Sequence, residues 1–155
     1  MKGNDMNMEI KWISENEVPS DQLIDDTEKK LGIQFPLDFL RIAKKYDGAY
    51  PVSNRYTLNG TQEIFNNLLA FDINDISNII QTYHDSKDRL IDKLIPFGED
   101  PFGNLICFDY RNGDVPSIVL WNHEVAFSNK EKAITFICNS FSDLLGMLHE
   151  AEDDE

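Results

Sequence analysis

Gly98 and Gly103, in the stretch IPFGEDPFGNLICFDY from Ile95 to Tyr110, carry the glycine spacing of a phosphate-binding loop. Such a loop needs free backbone N–H groups, a helix starting behind it, and a lysine followed by Ser or Thr. Here Asn104 and Leu105 occupy those last two positions, Pro101 removes an N–H, and Glu99 and Asp100 add negative charge. The residues that follow read as a strand rather than a helix. A nucleotide site is therefore not expected.

Other chemically suggestive groupings fail on spacing. His123-Glu124 could begin a zinc-protease motif, which needs a second His four residues on along a helix. That position is Phe127, the surroundings read as strand, and His84 and His149 are remote in sequence. Asp109 to Asp114, DYRNGD, superficially resembles a calcium loop, but Arg111 and Asp114 stand where an oxygen ligand and a glycine are required. Asn112-Gly113 reads instead as a turn between strands. No G-x-S-x-G occurs, and Cys107 and Cys138 lie in apolar runs (LICF, TFIC) that suit buried free thiols. No catalytic residue, metal or cofactor is expected.

Charge is the dominant compositional fact: 28 acidic against 14 basic residues give a net charge of −14. Such a field repels a phosphate backbone, so direct nucleic-acid binding is not expected. It would steer a basic protein partner towards the chain, although solubility alone also accounts for an acidic surface. No run approaches the roughly 18 apolar residues of a membrane span. The N-terminal MKGNDMNMEIKW lacks an apolar signal core, which with the two free thiols leads to the expectation of a cytoplasmic protein.

The elements that would position these residues follow from the pattern. With 155 residues, 41% of them hydrophobic, one domain spanning 1–155 can bury a core without staples, its folded part running from about 19 to 149. Residues 1–18 read as an arm with a short strand near Ile10–Ile13. Ser20 caps a helix to Leu31, with Leu23, Ile24, Thr27 and Leu31 inward and Gly32 ending it. Pro36 opens a second helix reaching Gly48, with Leu37, Leu40, Ala43 and Tyr46 inward and Phe39 and Ile42 widening the apolar face. Tyr56–Leu58, Asn59-Gly60 and Glu63–Phe71 predict a hairpin. Asn74 or Asp75 caps a helix to about His84, with Ile76, Ile79, Ile80 and Tyr83 inward, and Asp85–Lys93 is a charged connector. Strands are expected over 94–97, 104–110, 117–122 and 133–138. The apolar runs LICF and IVLW fit central strands covered on both faces, and Leu105, Phe108 and Trp121 read as core. Ser140 and Asp143 start a last helix to Glu150 that buries Phe141, Leu144, Leu145 and Leu148, with His149 at its C-terminus and a frayed acidic tail after it. Terminal and middle helices around a mostly antiparallel sheet make the fold α+β.

Four of these segments, in this order, resemble the SUKH superfamily, named partly after the fungal Smi/Knr cell-wall synthesis regulators. FPLDFLRIAKKYDGA resembles the family's "lP.dy..f....NGg" segment; IPFGEDPFGNLICFDY, PSIVLWNHE and NSFSDLLGML resemble its Gly-bearing hairpin, Trp-bearing strand and closing helix. The resemblance spans roughly Pro19 to His149. Two departures stand out: Asp47-Gly48 replaces the usual Asn-Gly, and Pro101-Phe102 fill the middle of the hairpin.

The resemblance implies an α+β domain without catalysis. Bacterial members are mostly considered immunity proteins of polymorphic toxin systems, which bind and block a cognate toxin domain, very often a nuclease. A basic nuclease surface is a fitting target for a chain of this charge. The expected partner is thus a cognate toxin protein bound directly, with Glu99, Asp100, Asp109, Asp114 and Glu124 as candidate contacts in or beside the hairpin. A non-enzymatic regulator or scaffold of the fungal type, binding other proteins or a small ligand, is the alternative.

Overall fold

The computed structural model describes residues 10–151; residues 1–9 of the expected arm and 152–155 of the acidic tail lie outside the described residues. Nine strands and five helices are described: β1 (Trp12–Ile13), α1 (Asp21–Leu31), α2 (Leu37–Ala43), β2 (Tyr50–Pro51), β3 (Arg55–Leu58), β4 (Thr61–Ile64), β5 (Asn67–Leu68), α3 (Ile79–Ser86), β6 (Leu94–Glu99), β7 (Leu105–Asp109), β8 (Ser117–Trp121), α4 (His123–Ser128), β9 (Ile134–Cys138) and α5 (Phe141–Met147). Strands β5 to β9 form one antiparallel meander in sequence order; β1–β2 and β3–β4 are separate antiparallel pairs. The fold is α+β, as the patterning predicts.

Local chemistry sets most boundaries. The Leu23 N–H donates to Ser20 Oγ at 3.0 Å, and Gly32 (φ 73) sends its own N–H back to the Glu28 carbonyl at 2.8 Å, closing α1 at both ends. Asn59 and Gly60 both take positive φ (52 and 82), the backbone of a tight hairpin turn joining β3 to β4. At α5 the Asp143 N–H donates to Ser140 Oγ at 3.0 Å.

Five boundaries depart from expectation. Helix α2 ends at Ala43 rather than Gly48, because Lys45 and Ala49 donate to carbonyls three residues back and tighten the chain into turns. Its face is also rotated: Leu37 is exposed, whereas Phe39 is wholly buried. Helix α3 starts after Asn78, not Asn74 or Asp75, which leaves Ile76 outside the core. The long strand expected over Glu63–Phe71 divides, β4 pairing in the hairpin and β5 joining the meander. Residues 123–128, read as strand surroundings, form helix α4, with Asn122 Oδ1 accepting from the Glu124 and Val125 N–H groups. Beyond α5, the backbone of His149 pairs with that of Arg55 rather than continuing the helix.

Strand β7 is buried along its whole length, and its side chains alternate between two apolar clusters. Ile106 and Phe108 face the larger one, with Ile24, Phe39 and Phe141. Leu105 and Cys107 face the smaller one, with Val119, Trp121 and Ala126. Both faces of the sheet are covered, which is why LICF carries no polar alternation. Phe39 sits at the centre of the larger cluster, with the rings of Phe35, Phe71, Phe97, Phe108 and Phe141 between 5.2 and 6.4 Å from its own. Phe97, at a register shift in β6 between Pro96 and Gly98, joins this group and stacks on Phe108 at 4.1 Å.

Candidate functional site

The five acidic candidates do not form one patch. Glu99 and Asp100 lie at the β6–β7 turn, and Glu124 is beside them because Asn104 Oδ1 accepts the His123 N–H at 3.0 Å. Asp109 and Asp114 lie at the other end of β7, about 14 Å away by strand rise. Sequence proximity to the hairpin put them together; the strand separates them.

Two of the five are structural. Asp100 is only 7% exposed, so its carboxylate offers little charge at the surface. Its Oδ1 accepts from the Phe102 and Asn104 N–H groups at 2.8 and 2.9 Å, and its Oδ2 from Asn104 Nδ2 at 2.9 Å. The carboxylate folds the turn around itself, as Asp does in Asx turns. Phe102, not an acid, projects from the loop. Asp109, also 7% exposed, is held by Arg111 through Nε at 2.9 Å and Nη2 at 2.7 Å. Burial alone would raise its carboxyl, but the hydrogen bonds and charge of Arg111 outweigh that and leave it below the usual range. Glu99 is half-buried and accepts from Asn67 Nδ2 at 3.1 Å. Asp114 and Glu124 are exposed.

Asp114 borders a cleft of about 550 Å³ between the end of α1 and the segments 92–95 and 110–114. Apolar and aromatic side chains of Leu31, Ile33, Tyr83, Ile95 and Tyr110 line it, with Asp92 and Lys93 at its edge. The Tyr110 hydroxyl is already committed, donating to the Gln34 carbonyl at 2.7 Å. On the far face of the sheet the Arg89 guanidinium lies 5.9 Å from the Trp121 ring and 5.2 Å from the exposed ring of Phe127.

The segments that carry the family resemblance prove to be joints of the scaffold. Asp38 Oδ2 accepts from both the N–H and the hydroxyl of Ser142, each at 2.9 Å, tying α2 to the start of α5. Asp47 is buried and accepts from the Phe71 N–H at 2.7 Å, the Asp72 N–H at 3.3 Å and Asn16 Nδ2 at 3.2 Å. Burial pushes its carboxyl up, and those hydrogen bonds pull the other way without cancelling it. The Cys107 thiol is pushed far up by burial, and Cys138 to about 11 by the same cause. Neither is poised as a nucleophile. Among the described residues no three His, Cys, Asp or Glu side chains gather as a metal site, and no helix is long and apolar enough to cross a membrane.

An antiparallel sheet wrapped on both faces, with its buried carboxylates spent on backbone donors, is a rigid scaffold that offers surfaces. The chain belongs to the SMI1 / KNR4 family (SUKH-1), which matches residues 19–147. It is also similar to the SPbeta prophage-derived protein YokK of Bacillus subtilis (strain 168), with 28% identity over 149 aligned positions, covering 83% of this chain and 73% of the relative.

Proposed function

We propose that this chain is an immunity protein that binds a cognate polymorphic toxin, a nuclease domain being the expected target, and neutralises it by stoichiometric occupation. The observation that carries this reading is membership of the SMI1 / KNR4 (SUKH-1) family over residues 19–147, since bacterial members of the superfamily are mostly considered immunity proteins. The prophage origin in the name of the Bacillus relative is consistent with it. The charge of −14 adds a physical reason. A nuclease holds phosphates on a cationic surface, and an acidic protein is steered onto such a surface at a rate that falls with salt. Asp114 and Glu124 remain exposed and free to take part; the chain itself would work in the cytoplasm of the cell that it protects.

Co-expression with the toxin domain encoded beside this chain's gene tests the proposal. Protection should scale with the molar ratio and saturate at a fixed stoichiometry; killing that continues at excess immunity protein sinks it. The cleft of about 550 Å³ favours a second reading, a regulator of the Smi/Knr type that takes a small ligand between Tyr83 and Tyr110. Normal protection by a chain in which Tyr83→Trp narrows the cleft would separate the two.

A further inference from the structure

Several exposed apolar side chains lie away from the acidic candidates, on three segments that meet around Asp47. Ile13 and Tyr50 are paired across β1 and β2 and are 57% and 51% exposed. Their side chains share the outward face, while the neighbouring pair Trp12 and Pro51 turns inward. Ile73 and Ile76, in the loop before α3, are 64% and 94% exposed. These segments are pinned to one another. Ser14 Oγ donates to the Asp47 carbonyl at 2.8 Å, and Asn16 Nδ2 bridges Asp47 Oδ2 and Asp75 Oδ2 at 3.2 and 2.9 Å. The Phe71 N–H locks onto Asp47 Oδ1. Gly48 (φ 65) completes the junction: a Cβ there would lie 2.9 Å from Asn16 Nδ2 and 3.1 Å from Asp75 Oδ2. Large apolar side chains are thus held outward on backbone that has little freedom left to lose on binding.

The charges within these segments have one sign, with cations only at their margins. Residues 13–17, 47–52 and 72–78 contain Glu15, Glu17, Asp47, Asp72 and Asp75 and no Lys or Arg; the nearest cations in sequence, Lys11 and Lys45, flank them. An apolar centre fringed by carboxylates disfavours a second copy of itself, since a two-fold contact sets like charges against each other. It suits a partner that presents an apolar side chain among lysines and arginines.

We propose that Ile13, Tyr50, Ile73 and Ile76 form the docking surface for a basic protein domain, with the carboxylates of Glu15, Glu17, Asp72 and Asp75 meeting its cations. This proposal rests on the immunity reading, in which that domain is the toxin. It moves the interface from the β6–β7 turn to the β1–β2 face.

The test measures binding of the toxin domain encoded beside this chain's gene, by titration calorimetry at two salt concentrations. Wild type, the double variant Tyr50→Ser/Ile76→Ser, the charge reversal Glu15→Lys/Glu17→Lys and the distant control Phe127→Ser are compared. The apolar double variant should bind at least 30-fold more weakly, the loss typical of removing a hot spot of about 2 kcal/mol. The charge reversal should weaken binding most at low salt, and the control should stay within about 2-fold of wild type. All replaced side chains are exposed, and circular dichroism checks that each variant is folded. If wild type binds and both β1–β2 variants bind equally well, the surface is wrong and the immunity reading stands. If wild type fails to bind, the reading itself falls and takes this surface with it. A dimer in sedimentation that Tyr50→Ser/Ile76→Ser dissolves would show that a second copy covers the face, and would overturn the proposal.

Discussion

A Cβ on Gly98 would lie 2.8 Å from Cζ of Phe65, inside any tolerable contact. Phe65 is buried against Phe97 and cannot swing away, so Gly98 is glycine because an aromatic ring occupies the space of its side chain. Its partner in the phosphate-loop spacing, Gly103, takes φ 92 and has the His123 ring 3.1 Å from its missing Cβ. Gly98→Ala should lower stability in urea unfolding by about 1–3 kcal/mol, the usual range for overpacking. Combining it with Phe65→Leu should give less than the sum of the single losses, because the smaller side chain relieves the clash.

Tyr56 gives the opposite sign. Its ring is fully buried, and among the described residues its hydroxyl meets no hydrogen-bond partner. A buried hydroxyl without a partner is a liability rather than a contact. Tyr56→Phe keeps the packing and should leave stability unchanged or raise it by up to about 1 kcal/mol. A loss above that range in the same urea assay would mean that the hydroxyl is bonded after all.

The sequence made the scaffold legible and the surface much less so. Capping at Ser20 and Ser140, the Asn59-Gly60 turn and the apolar β7 depend on neighbouring residues, and the pattern of the chain announces each of them. The start of α3 is ambiguous in the sequence, because Asn74, Asp75 and Asn78 can all cap. Asn78 is selected because its Oδ1 takes the Gln81 N–H while its Nδ2 reaches the Asp75 carbonyl at 2.9 Å. Helix α4 was hidden by its six-residue length behind an apolar strand, although Asn122 was a legible cap. Exposure of individual acids is harder still, since it depends on which backbone donors the fold brings near. Asp100, followed by Pro, Phe, Gly and Asn, carried an Asx-turn signal that marked it as structural. Nothing local brings the segments of Ile13, Tyr50 and Ile76 together, because Asp47 and Asn16 join them only in three dimensions.

Asp109 and Arg111 provide a pH test. The folded carboxyl of Asp109 is held below its ordinary value, so its contribution is complete above the unfolded pKa of about 3.9 and disappears as pH falls through the lower folded value. Arg111→Gln removes that benefit. The variant should be about 1 kcal/mol less stable at pH 7, a modest figure because Arg111 is itself partly exposed. The gap between variant and wild type should shrink below about pH 4 and close once the carboxyl is protonated in both states. Urea unfolding at pH 7, 4 and 2.5 reads it directly, and a gap that widens on acidification would refute the assignment.

The thiols should behave as buried side chains. With Cys107 wholly enclosed and Cys138 raised to about 11, little thiolate exists in the native state at pH 8. A thiol reagent such as DTNB should label neither in the folded protein and both in guanidinium. On partial destabilisation Cys138, at the end of the last strand of the meander, should react before Cys107 in its centre. Rapid native labelling of Cys107 would contradict the two-sided coverage of β7.

Asp100 and Glu124 are near neighbours of the same charge, and the two should separate cleanly in experiment. Asp100→Ala strips the Phe102 and Asn104 N–H groups and the Asn104 amide of their acceptor, and should lower stability by about 1–3 kcal/mol. Because Asn104 also holds the His123 N–H, the loss should spread to the start of α4 and speed hydrogen exchange there. Glu124→Lys touches no such network and should change stability by no more than about 0.5 kcal/mol. Towards a basic partner the order reverses. Glu124→Lys alters the surface field and should slow association at low salt, while Asp100→Ala, whose carboxylate is enclosed, should act only through folding. Equal stability of the two variants would show that the turn does not depend on its internal carboxylate.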